Sequence, residues 1–226
     1  MHYYTQVKQV RETDKGTDLI IHIPDEKISH KLSKYKQDKD VNAEIRISDN
    51  RTIRPDQRKK IFATIRDIAT YSCDDPEYIR GIMLYDFCTL NDVMPFSLSS
   101  CSVAMAREYL NYIIEFALRW NIPLRDKGID RTDDIDKYLY FCIKHRVCAI
   151  SGKPNADIHH VDAIGMGADR NKVDHTQYRL IALSRHWHRL VHDKGEDEIF
   201  EKNKVYGIKV DRETLKYIGI RSKDIT

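Results

Sequence analysis

Six of the ten histidines, at 159, 160, 175, 186, 188 and 192, fall within 34 consecutive residues. Their spacing suits metal chemistry. On a helix, His188 and His192 stand at i and i+4, so both imidazoles leave the same face about one turn apart and can grip one divalent cation. On a strand, the adjacent His159 and His160 point to opposite sides. One of them can complete the metal's coordination shell, and the other stays uncoordinated as a base for a nearby water. Three imidazoles on a cation with a fourth beside them are sufficient equipment for phosphodiester hydrolysis. The base takes a proton from water, and the cation polarises the phosphate and stabilises the departing oxyanion.

The elements around these residues read as strand, loop, strand, helix. A Gly-Lys-Pro-Asn turn in Cys148–Asn155 leads into a short strand over 156–161. A glycine-containing loop at Gly165-Met-Gly167 and a polar segment follow, then a second short strand over Tyr178–Leu183 and a helix over Ser184–His192. Arg185, Arg189, Lys153 and Arg170 flank the site as candidate phosphate contacts. His186 lies on another side of the helix and reads as a solvated residue, with a phosphate contact as the alternative.

Ile158-His-His160, followed by Leu183-Ser-x-x-x-His188-x-x-x-His192, resembles the HNH (ββα-metal) endonucleases over residues 148–195. The resemblance implies a small C-terminal ββα-metal domain that hydrolyses DNA. It makes His160 the general base, His159 the strand-borne metal ligand, and His188 with His192 the helix-borne ligands. Two departures stand out. Many members carry two Cys-x-x-Cys knuckles around a structural zinc. Here only Cys148 remains, with Ser151, Ser184 and Trp187 in the other slots, so no structural zinc is expected. The position of the family's middle Asn counts to Arg179, with Gln177 and His175 as alternative occupants of that role. One divalent ion is expected: softness favours zinc or nickel on three imidazoles, and the resemblance admits magnesium or manganese.

The front half alternates and then turns helical. Tyr3–Val10 and Asp18–Ile23 flank an Asp14-Lys-Gly16 turn and predict a hairpin. Ala43–Ser48 predicts a third strand, and the polar Asp25–Asp40 between them a short helix or connection. Pro55 suits a first helical turn, with Ile61, Ile65 and Ile68 as its stripe. Asp75-Pro76 predicts a second helix start. Ser102 caps a third helix with Val103, Ala106, Leu110, Ile113, Ile114 and Ala117 on one face, ending near Asn121. Asp133–Arg146 predicts a fourth.

Two segments, Arg51–Ile68 and Phe96–Leu110, resemble the phage NinB/Orf recombination-mediator family, whose members bind single-stranded DNA. They share an Arg-x-x-x-x-Asp-Gln-x-x-Lys helix start and a serine-rich lead-in to a long amphipathic helix. Residues 51–66 carry six basic side chains against the single acid Asp56. Arg54, Arg58 and Lys59 are the expected DNA contacts there, as Arg185 and Arg189 are near the histidines.

Composition narrows the class. With 41% apolar and 32% charged residues, nine glycines and six prolines, the chain is neither collagen-like nor low-complexity. No apolar run reaches the roughly 18 residues that would span a bilayer. The start lacks a basic segment followed by an apolar one, which points to a cytoplasmic protein. A net charge of +3 makes any nucleic-acid contact a matter of local patches. Five cysteines with no Cys-x-x-Cys pair read as reduced and mostly buried thiols.

The expected fold is α+β: an N-terminal α+β domain over 1–122 that holds DNA, a linker and helix over 123–146 with Pro123–Thr132 as the linker, and an HNH domain over 147–226. As a whole the chain resembles the HNH nucleases of phage recombination cassettes. That implies a DNA endonuclease acting on single-stranded or branched DNA. A single-strand-binding protein is a candidate partner, and junction cutting, which needs two incisions, favours a homodimer. The competing reading is a DNA-binding recombination mediator whose HNH fold is degenerate.

Overall fold

The computed structural model describes residues 5–24, 27–33, 41, 45, 51–162 and 173–220. The fold is α+β, with two small antiparallel sheets among helices. The chain divides into two compact units, Met1–Ser48 with Asn91–Val93, and Asp49–Leu90 with Met94–Thr226.

The first unit holds the expected hairpin, β1 (Gln6–Thr13) paired with β2 (Gly16–His22). The pairing runs from Thr13↔Gly16 at the turn to Gln6↔His22, with an irregularity between Val7 and Gln9. Gly16 closes the turn at φ +142°, a conformation few side chains tolerate. The hydroxyl of Thr13 donates to Gly16 O at 2.6 Å. A short helix, α1 (Ser29–Ser33), falls inside the polar stretch. The third strand expected at Ala43–Ser48 lies outside the described residues, Ile45 apart.

In the second unit the helices start where local chemistry places them. α2 (Pro55–Ser72) begins at Pro55, and the Gln57 side chain reaches back to accept from Arg54 N at 3.2 Å. α3 (Pro76–Leu90) is capped by Asp75, whose Oδ1 accepts from Glu77 N and Tyr78 N at 2.9 and 3.1 Å. α4 (Val103–Arg119) is capped by Ser102, which accepts from Met105 N at 3.1 Å. Its expected stripe is buried throughout and packs on α2.

The stretch read as a linker is exposed over most of 123–127 and packs from Gly128 onward. Pro123–Thr132 contains α5 (Gly128–Arg131), and Ile129, Arg131 and Thr132 are buried. Arg131 Nη2 lies 3.1 Å from Asp67 Oδ2 on α2, and the Arg125 backbone donates to the same oxygen at 3.2 Å. Both partners of the Asp67–Arg131 pair are almost wholly withdrawn from solvent, at 2% and 6% exposure.

α6 (Ile135–His145) is capped by Asp134, which accepts from Lys137 N at 3.1 Å. Leu139, Phe141 and Ile143 are buried as expected, whereas Ile135 at the helix start is exposed. Gly128 permits close packing here, because a Cβ would fall 2.5 Å from the Tyr138 hydroxyl oxygen. That hydroxyl donates to Ala149 O at 3.0 Å and ties α6 to the turn before the histidines.

β3 (Asp157–His160) pairs antiparallel with β4 (Leu180–Leu183), His159 opposite Ile181 and His160 opposite Leu180. All four β4 side chains are fully buried, and α6 packs on that strand. α7 (Arg185–Lys194) follows at once. Two further helices, α8 (Glu196–Asn203) and α9 (Arg212–Tyr217), follow it. No helix among the described residues is long and apolar enough to cross a membrane.

Candidate metal centre

The helix α7 starts from the end of a buried strand, so its orientation is fixed by the core beneath β4. His188 and His192 share a face on it, and both meet His159 from β3. The ligand-capable atoms of the three residues all lie within 4.8 Å of one another. The ring centroids form a nearly equilateral triangle, at 5.0 Å for 159–188, 5.1 Å for 159–192 and 4.9 Å for 188–192. His188 Nε2 and His192 Nε2 are 3.3 Å apart. A cation with nitrogen ligands at about 2.0–2.1 Å and tetrahedral angles requires an N···N edge of about 3.3 Å, so this pair fits without rearrangement. His159 is buried, His188 half-buried and His192 exposed, giving the centre a closed floor and an open side.

Two of the three rings, His159 and His188, are also held from behind. His159 Nε2 is 2.8 Å from Glu196 Oε1, at the first position of α8. His188 Nδ1 faces Asp157 Oδ2 at 3.5 Å. The same oxygen lies 3.3 Å from Arg185 Nε, and it is buried without a hydrogen-bond partner of good geometry. A carboxylate behind an imidazole favours the N–H tautomer on that side and leaves the opposite nitrogen's lone pair facing the centre. Burial lowers the His188 pKa, and the neighbouring His159 and His192 lower it further against the pull of Asp157. The neutral ring, the form that binds cations, is thereby favoured.

His160 leaves the opposite face of β3. Its Nε2 lies 2.9 Å from Nδ1 of His175, a buried residue on the 3₁₀ turn His175–Gln177. Tyr178 stands 6.4 Å, centroid to centroid, from both rings. Of the occupants considered for the middle-Asn role, His175 is the one that meets His160. Arg179 instead forms an ion pair with Asp162 at 2.6 Å.

The remaining expected residues are spread over the surface. Arg185 and Arg189 are exposed on α7, one turn apart, as is His186 between them. Lys153 is exposed, and Arg170 and the loop at 165–167 lie outside the described residues. Just before α2, Arg54 lies 3.9 Å from Asp133; on α2, Lys59 is exposed and Arg58 donates to Ser99 O at 3.1 Å. Lys60, from the same basic run, is taken up by Asp133 at 2.6 Å.

Two members of the centre escaped sequence reasoning. Asp157 had a signal: it precedes His159 by two residues and so shares its strand face. Glu196 had none. It reaches His159 only because the chain reverses at Gly195, where φ is +92°.

A family model described as Putative HNHc nuclease matches residues 26–220. The chain belongs to this family. The match takes in the helices before the histidines as well as the histidine region itself. No curated protein and no solved structure matches the chain.

Proposed function

We propose that this protein is a metal-dependent endonuclease that hydrolyses DNA phosphodiester bonds, with His159, His188 and His192 as the cation's ligands and His160 as general base. The observation that carries the reading is the convergence of three imidazoles from β3 and α7, with a fourth on the opposite strand face. A divalent cation held by the three rings supplies positive charge to the scissile phosphate and the departing oxyanion.

The protein's own groups do the rest. Glu196, 2.8 Å from His159 Nε2, and Asp157, 3.5 Å from His188 Nδ1, would favour the tautomers that leave the opposite ring nitrogens for the cation. His160, whose Nε2 meets His175 Nδ1 at 2.9 Å, is the ring that takes the proton from water. Arg185 and Arg189 flank the helix ligands and hold phosphates on either side of the scissile bond. Imidazole ligands favour zinc or nickel, and magnesium or manganese serve as alternatives.

In this reading residues 147–226 cut and residues 1–122 hold DNA, with Arg54 at the cap of α2 and Arg58 and Lys59 on it as strand contacts. Single-stranded or branched DNA in phage recombination or replication is the substrate class supported by the resemblance of the front segments. A homodimer suits paired incisions. The test is a cleavage panel of single-stranded, duplex, flap and four-way DNA with magnesium, manganese, zinc and nickel. Metal-dependent cutting of the flap or four-way substrate is expected. If no substrate is cut with any ion, the chain is a DNA-binding mediator with a degenerate HNH fold.

A further inference from the structure

The ends of three helices line a second cleft, none of whose residues belongs to the histidine centre. Arg119 and Trp120 close α4, Lys144, His145 and Arg146 close α6, and Tyr217 closes α9, around a volume of ≈ 470 Å³. Lys144 Nζ and His145 Nε2 share one oxygen of Glu115, at 2.8 and 3.1 Å. Arg146 Nη2 donates to Ile218 O at 2.6 Å, which fixes its guanidinium across to α9. Arg119 Cζ lies 5.8 Å from the Trp120 ring centroid. Three permanent cations therefore line the cleft; Lys144 is paired with Glu115, and neither Arg119 nor Arg146 has an acidic partner among the described residues. Beside them two large rings stand in solvent, Trp120 at 58% and Tyr217 at 68% exposure.

Helix C-termini attract cations, which accounts for basic residues at such ends. It does not account for two uncovered aromatic rings among them. Unpaired nucleic acid matches both features, because its phosphates need cations and its bases need flat apolar faces on which to stack. A duplex offers the phosphates but hides the bases. We infer that this cleft binds single-stranded DNA, phosphates on Arg119, Lys144 and Arg146 and bases stacked on Trp120 and Tyr217. The choice of DNA rests on the endonuclease reading, and the cleft would hold the unpaired part of the substrate.

The full chain carrying Trp187→Phe leaves Trp120 as the lone tryptophan. It is titrated with a fluorescein-labelled oligo-dT of about 20 nucleotides, long enough to cover one binding site, in EDTA so that nothing is cut. Quenching of Trp120 is expected along the same isotherm as the rise in anisotropy. Trp120→Ala weakens binding on the order of tenfold. Arg119→Gln lowers the slope of log affinity against log salt by about 0.7, the loss of one phosphate contact. Unquenched Trp120 at saturation, unchanged affinity in both variants, or a blunt duplex that competes as well as the single strand overturns the inference. A protein that binds the oligonucleotide in this way yet cuts nothing with any ion upholds the cleft and refutes the endonuclease reading alone.

Discussion

His188 Nε2 and His192 Nε2 lie 3.3 Å apart on one face of α7, at the edge length of a nitrogen-ligated tetrahedron. Without a cation, two neutral imidazoles hold that distance only if one donates to the other. With one, both lone pairs are used. Divalent zinc or nickel should therefore raise the thermal midpoint of the wild-type chain, by linkage worth about 2.7 kcal/mol at a hundred times the dissociation constant. Replacing His188 or His192 by Ala should weaken metal affinity by about two orders of magnitude in calorimetric titration and abolish the thermal shift.

Glu196 stands 2.8 Å behind His159, and removing it leaves the ring free to turn. Glu196→Ala is expected to lower metal affinity about 10–100-fold, the usual effect of losing a carboxylate behind a histidine ligand. Glu196→Gln, whose amide oxygen still accepts from the ring, should recover part of that loss. Equal affinities for the wild type and Glu196→Ala would remove Glu196 from the centre.

Asp67 and Arg131 form a pair buried at both ends, tying α5 to α2. Arg131→Ala leaves the withdrawn carboxylate only Arg125, whose backbone donates at 3.2 Å and whose Nε lies 3.6 Å away, and should destabilise the fold by about 3 kcal/mol. Urea unfolding measures it directly. A change under about 1 kcal/mol, the range of exposed pairs, would mean that water reaches Asp67.

Burial opposes ionisation of Glu115, but hydrogen bonds from His145 and Lys144 overcome it and hold its pKa at about 2, against 4.5 for an ordinary glutamate. A group depressed on folding stabilises the protein above its unfolded pKa and loses that contribution as pH falls through the folded value. Wild-type stability should decline between about pH 4.5 and 2 by up to about 3 kcal/mol more than that of Glu115→Gln, as read from urea midpoints. Parallel pH profiles for the two proteins would contradict the ion pair.

How much was legible in advance depended on how local the cause was. The helix starts at Pro55, Pro76 and Val103 follow from residues beside them, and so do the i, i+4 pair on α7 and the alternation of His159 and His160. Asp157 obeys the same strand period and was open to the same reasoning. Glu196 reaches His159 through a chain reversal at Gly195 that no spacing rule encodes. The segment 123–132 reads as a linker because a buried ion pair and a surface one use the same letters. The buried partner of Arg131 is Asp67, 64 residues earlier.

The division of labour between the cation and His160 admits one decisive comparison: supercoiled-plasmid cutting by the wild type and His160→Ala, each at a divalent-ion concentration shown by calorimetry to saturate both. The account predicts metal affinities equal within about twofold and a cleavage rate at least ~10²-fold lower in the variant, the scale of a lost general base. Equal cleavage rates would contradict it.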